Sequence, residues 1–94
     1  MTIEIITMPK LGLNMIEGKV VEWFFTVGDQ IKAGDEIVEV ATEKINHGIT
    51  ANTSGTLQCI FVQINDIAPI EAPMAIIADK HLNSTEIKKI LDDF

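Results

Sequence analysis

Glu36-Ile37-Val38-Glu39-Val40-Ala41-Thr42-Glu43-Lys44-Ile45-Asn46-His47-Gly48-Ile49-Thr50-Ala51 reads as two strands with a reversal between them. In residues 36–42, Val38 and Val40 fall on one face and Glu39 and Ala41 on the other, the alternation of a half-buried strand. Strand character resumes at 45–51. The chain must therefore turn within Thr42-Glu43-Lys44-Ile45, which puts Lys44 at the tip, the best-placed reactive atom in the sequence.

Working outward, the segments before and after this reversal resemble each other. Sliding the sequence 37 residues along itself, without a gap, sets Gly18 on Gly55, Val20 on Leu57, Trp23 on Ile60, Val27 on Ile64 and Asp29 on Asp66. It also sets Ile37 on Met74, Val38 on Ala75 and Val40 on Ile77. Two copies are too few for a solenoid. Two strand-rich halves that each expose an apolar face should instead cover one another, as packed sheets or a flattened barrel.

The remaining segments fit a mostly β chain. Strands are expected at 3–7, 19–27, 56–64 and 74–78, with Pro9 to Asn14 as a surface loop and turns at Gly28-Asp29, Ala33-Gly34-Asp35 and Ser54-Gly55. The tail differs. Asn83 and Glu86 form a capping-box pattern, and Ile87, Ile90, Leu91 and Phe94 recur at helical spacing. A short amphipathic helix should begin near Ser84 and, being marginal alone, should dock on the barrel or fray.

Composition narrows the function. The chain has 94 residues, 47% of them apolar, which suits one small domain, 1–79, with a tail at 80–94. A net charge of −7 with seven basic residues spread along the chain argues against a nucleic-acid partner and suits a cationic or mixed-charge protein. No apolar run approaches the ~20 residues that span a bilayer, and no signal peptide is visible. The sequence reads as soluble, from a bacterial or archaeal cytoplasm or a mitochondrial matrix.

Several residues carry ordinary structural readings. Cys59 is the single cysteine, so no intrachain disulfide can form, and its apolar neighbours point to a packed small hydrophobe. His47 and His81 lie 34 residues apart with no paired ligands, so no metal site is expected and both should be surface or strand-edge residues. Met8, Met15 and Met74 read as packing, and Trp23 as partly buried.

With these residues laid out, Met8-Pro9-Lys10-Leu11-Gly12-Leu13-Asn14-Met15-Ile16-Glu17-Gly18, Val21-Glu22-Trp23, Val27-Gly28-Asp29, Ala33-Gly34-Asp35, Thr42-Glu43-Lys44-Ile45, Ala51 and Ser54-Gly55 resemble the lipoyl domain of the acyltransferase component of 2-oxo acid dehydrogenase complexes, over about residues 3–79. The resemblance implies an all-β fold: a flattened barrel of two four-stranded antiparallel sheets related by a pseudo-two-fold axis, here with a C-terminal helix. It implies that Lys44 carries lipoate in amide linkage, with Glu43 and Ile45 read by a lipoate ligase or lipoyl transferase. Gly28 and Gly55 would serve tight turns. Lys10, Leu11 and Asn14, in the loop that approaches the lysine in this family, would help partners choose their carrier.

The chain departs from the family at Glu43 and Ile45, where Asp and Ala are usual, at Asn65-Asp66 for a Gly-Asp turn, and at Glu71 for a glycine. Residues 46–50 are less regular than the family norm, which should loosen that strand. On this reading the chain contains no catalytic centre. It serves as a monomeric swinging-arm carrier among a thiamine-dependent decarboxylase, an acyltransferase catalytic domain and dihydrolipoyl dehydrogenase. The biotinyl domain of carboxylases shares the barrel but flanks its lysine with methionines. A glycine-cleavage carrier is longer. An unmodified barrel serving as an interaction module is the reading from a different class.

Overall fold

The computed structural model describes residues 2–94, so residue 1 of the expected 1–79 unit lies outside the described residues. Eight strands precede one helix: β1 Ile3–Thr7, β2 Glu17–Trp23, β3 Gln30–Ile31, β4 Glu36–Ala41, β5 Asn46–Thr50, β6 Gly55–Ile60, β7 Ile67–Pro69, β8 Pro73–Ala78 and α1 Ser84–Asp92. They form two four-stranded antiparallel sheets, ordered β1-β8-β6-β3 and β5-β4-β2-β7. The body measures 37 × 26 × 20 Å, flattened as two packed layers require.

The 37-residue repeat is written into the topology. Moving β2, β3 and β4 along by that offset gives β6, β7 and β8, and exchanging the sets converts β8-β6-β3 of one sheet into β4-β2-β7 of the other, with β1 and β5 at the corresponding edges. The loops obey the same operation. Gly28 N–H donates to the Leu57 carbonyl (2.8 Å) and Asn65 N–H to that of Val20 (2.8 Å), while Phe24 N–H reaches Ile37 (2.8 Å) and Phe61 N–H reaches Met74 (2.8 Å). Among the described residues, the four with left-handed φ also pair off at this spacing: Gly28 (98°) with Asn65 (75°), and Gly34 (95°) with Glu71 (69°). Asn65 and Glu71 thus occupy backbone positions built for glycine.

Repeat partners share burial as well. Val20 and Leu57, Ile37 and Met74, Val38 and Ala75, and Val40 and Ile77 are fully buried between the sheets, with Ile6, Met8 and Ile31 completing the core. Each Val, Leu, Ile or Met among them contributes roughly 1.5–3 kcal/mol. Trp23 is half-buried against this cluster and donates from Nε1 to the Val62 carbonyl at 2.8 Å.

Strand β8 is buried on both faces because α1 covers its outer side. Ile76 and Ala78 point away from the main core, onto Leu82 and the half-buried Ile87, Ile90 and Leu91. This explains why residues 74–78 read as an unbroken apolar run. The capping box is complete: Asn83 Oδ1 accepts from Glu86 N–H (2.8 Å), and Glu86 Oε1 accepts from Asn83 N–H (3.2 Å). The helix docks, although Phe94 falls outside it and is exposed, so the expected stripe ends at Leu91.

Other expectations need correction. The strand expected at 19–27 starts at Glu17 and stops at Trp23, and the one expected at 56–64 stops at Ile60. Past those points the chain turns toward the short β3 and β7, which periodicity did not find. In β4 the register slips between Glu36 and Val38, so Ile37 and Val38 are both buried and the alternation begins only after them. Gly55 does not lie in a turn. It opens β6, and a Cβ there would sit 2.7 Å from the Ala78 carbonyl oxygen, so close strand approach is what requires glycine. Residues 46–50 form a strand paired along β4 from Asn46 to Thr50, with one register slip, between the Ile49 and Thr50 pairs.

Candidate functional site

Strands β4 and β5 project a hairpin whose last ladder pair is Ala41 with Asn46. Beyond it, Thr42 N–H donates to the Ile45 carbonyl at 2.8 Å, and the Thr42 hydroxyl accepts from Ile45 N–H at 3.3 Å. The loop proper is two residues, Glu43 and Lys44. Neither has positive φ, so this is not the Asn-Gly type of hairpin turn, and the threonine hydroxyl takes the Ile45 N–H in its place. Asn46 Nδ2 donates to Glu39 Oε2 at 2.9 Å and ties the base of the hairpin together.

Glu43, Lys44 and Ile45 are all exposed at this tip. Among the described residues the single ion pair is Lys80 with Glu86, at 3.8 Å, so no carboxylate holds Lys44 Nζ. The tip therefore presents a free primary amine on a stiff support, which suits acylation by a modifying enzyme. A buried, paired lysine could not be reached by one.

The loop between β1 and β2 runs beside the hairpin. It is shaped by a turn in which Met15 N–H donates to the Gly12 carbonyl (3.2 Å), and by Leu11 N–H donating to Met15 Sδ (3.1 Å). Loop and hairpin wall an open groove of about 820 Å³ that includes Lys44, Glu43 and Ile45. Leu11 and Asn14 also line it, whereas the exposed Lys10 does not. Sequence reasoning passed over three exposed aliphatics in the same groove: Leu13, Ile16 and Ile67. For Leu13 and Ile16 the available signal was large aliphatics in a segment read as a surface loop, whereas Ile67 lies in the short β7.

The remaining chemistry-bearing residues lie elsewhere. His47 and His81 are exposed, and the described residues contain no cluster of three or more metal-ligating side chains. Cys59 is half-buried beneath α1. Burial pushes its thiol above the ordinary cysteine value, and a backbone hydrogen bond at Ile76 opposes that more weakly. Less thiolate at neutral pH makes it a poor nucleophile. No helix among the described residues is long and apolar enough to cross a membrane.

A flattened two-sheet barrel with a lysine held out at a hairpin tip defines a carrier-type domain that bears its prosthetic group covalently. The family model described as "Biotin-requiring enzyme", which covers biotin and lipoyl attachment, matches residues 4–77, and the chain belongs to this family. It is similar to the dihydrolipoyllysine-residue acetyltransferase component of the acetoin cleaving system of Pseudomonas putida, 35% identical over 98% of this chain and 25% of that protein. It is similar too to the dihydrolipoyllysine-residue succinyltransferase component of the 2-oxoglutarate dehydrogenase complex of Staphylococcus saprophyticus, at 29% over 85% of this chain and 19% of that one. The chain thus spans a quarter or less of the length of these relatives. Among solved structures, a single-chain, multi-domain long-chain acyl-CoA carboxylase matches with a TM-score of 0.66 and 14% identity, over 96% of this chain and 8% of that chain, a likeness of fold.

Proposed function

We propose that the chain is a lipoyl carrier domain in which Lys44 holds lipoate in amide linkage, within or beside the acyltransferase of a 2-oxo acid or acetoin-type dehydrogenase complex. The observation that carries this reading is the exposed, unpaired Lys44 at the tip of the β4–β5 hairpin, in a chain whose relatives are named for a dihydrolipoyllysine residue. Glu43 keeps a carboxylate before the lysine, and neither neighbour is the methionine usual around a biotinyl lysine. The carrier unit is residues 1–79, and 80–94 form its tail.

When bound, lipoate supplies a dithiolane that takes up acyl groups and electrons at one active site and delivers them at others. The chain's own residues do the positioning. Thr42 and Asn46 keep the hairpin closed, Glu43 and Ile45 present the amine to a lipoate ligase or lipoyl transferase, and the two sheets hold that geometry fixed. The partners that follow are a thiamine-dependent decarboxylase, an acyltransferase catalytic domain and dihydrolipoyl dehydrogenase, each helped by the high effective concentration of a tethered arm. Leu11 and Asn14 beside the lysine, with Lys10 at the loop's edge, are the residues by which the decarboxylase would choose this carrier. Replacing all three should slow reductive acylation while lipoylation proceeds, and an unchanged acylation rate with the cognate decarboxylase would remove them from that role.

Intact-mass measurement after incubation with a lipoate ligase, ATP and lipoate tests the main reading. The protein should gain one lipoyl group, and Lys44→Arg should gain none. Gain of biotin with a biotin ligase instead would assign the carrier to a carboxylase. Gain of neither would leave an unmodified interaction module.

A further inference from the structure

The groove beside Lys44 leaves an unusual amount of aliphatic surface in water. Leu13 is 93% exposed, Ile16 73%, Ile67 60% and Ile45 48%, and all four line it. None of them belongs to either core cluster, so the packed core does not account for them. Single exposed aliphatics are ordinary, but several gathered in one concave surface mark a binding site.

We propose that this groove is the resting berth of the lipoyl group itself: between visits to partner active sites, the aliphatic chain and dithiolane ring lie against Leu13, Ile16, Ile45 and Ile67. The inference rests on the lipoyl reading above. Lys44 lines the groove, so a group joined to its side chain starts within reach of it. A lipoyl chain reaches roughly 9 Å from that nitrogen, counting about 1.5 Å per bond and the usual zigzag. A volume of about 820 Å³ lies within the ~300–1,000 Å³ range of small-molecule sites.

The chemistry of the walls selects the occupant. Beyond its amide, the lipoyl group carries no charge and no strong hydrogen-bonding group, so aliphatic walls cost it nothing in lost hydrogen bonds. Because a short tether keeps the group at about millimolar local concentration, even a weak apolar contact is populated much of the time. The same weakness lets a partner's active site draw the arm out. While berthed, the ring is shielded from thiols in solution, since exchange needs access to a sulfur.

Methyl NMR of the protein before and after lipoylation, with modification verified by intact mass, tests the berth. The Leu13, Ile16 and Ile67 methyl signals should shift on lipoylation and show nuclear Overhauser contacts to the ring protons. In a Leu13→Ser, Ile16→Ser variant those contacts should vanish, and reduction of the dithiolane by dithiothreitol should speed up about twofold or more, as a berth occupied at least half the time requires. Both side chains are largely exposed, so the fold should persist. Shifts confined to residues 42–46, no ring contacts and an unchanged reduction rate would overturn the berth, including in favour of a groove kept for a protein partner. If lipoate fails to attach, the mass spectrum sinks the lipoyl reading by itself, and titration of the unmodified protein with free lipoamide still decides the groove. Shifts at the same three methyls support it, and their absence refutes it.

Discussion

Asn65 and Glu71 hold φ values of 75° and 69°, in the region where a Cβ crowds the backbone, while their repeat partners Gly28 and Gly34 meet the same demand without strain. The left-handed conformation costs an ordinary residue about 1–2 kcal/mol, and a glycine loses about 0.5–1 kcal/mol through its freer unfolded chain. Strain is the larger of the two. Glu71 is exposed and makes no side-chain hydrogen bond to a described residue, so Glu71→Gly should raise unfolding free energy by about 0.5–1 kcal/mol in a urea titration. Asn tolerates this region better, so Asn65→Gly should gain less. These two residues were legible in the sequence only as departures from a family pattern. The repeat itself, carried to Gly34, would have told that Glu71 must sit in a glycine's conformation.

At the scale of elements, the helix is the easiest piece to probe. Its capping box satisfies two backbone N–H groups, and it covers Cys59 and the outer face of β8. Asn83→Ala should cost about 1 kcal/mol, a factor of about five in the population of the undocked helix. The readout is the thiol beneath it: alkylation of Cys59 at neutral pH should quicken by about that factor, and an unchanged rate would mean that the helix does not gate the thiol. Here the sequence was highly legible, because capping chemistry and a 3.6-residue period are local signals. Strands β3 and β7 were not, since two or three residues carry no period. The ends of β2 and β6 misled for a related reason. Phe24 and Phe61 continue the apolar run but lie beyond the strands, exposed at equivalent points of the repeat.

For the whole molecule, the 37-residue offset foretold two covering layers, and repeat partners make up most of the core that fills them. Lys44 was legible because a reversal between two strands has only one tip. The groove was not, because it forms where residues 11–19, 41–45 and Ile67 meet, segments far apart in sequence that only the folded topology joins. The same topology has a mechanical side. β3, from the first half, pairs with β6 of the second, while β7, from the second, pairs with β2 of the first. Each half lends a strand to its neighbour's sheet, like two clasped hands. A protease that nicks the connector at residues 52–54 should therefore leave two fragments that still co-elute from a sizing column and part only in denaturant. On the proposed carrier role, an arm handed from enzyme to enzyme would thus be mounted on a body that one broken peptide bond should not pull apart.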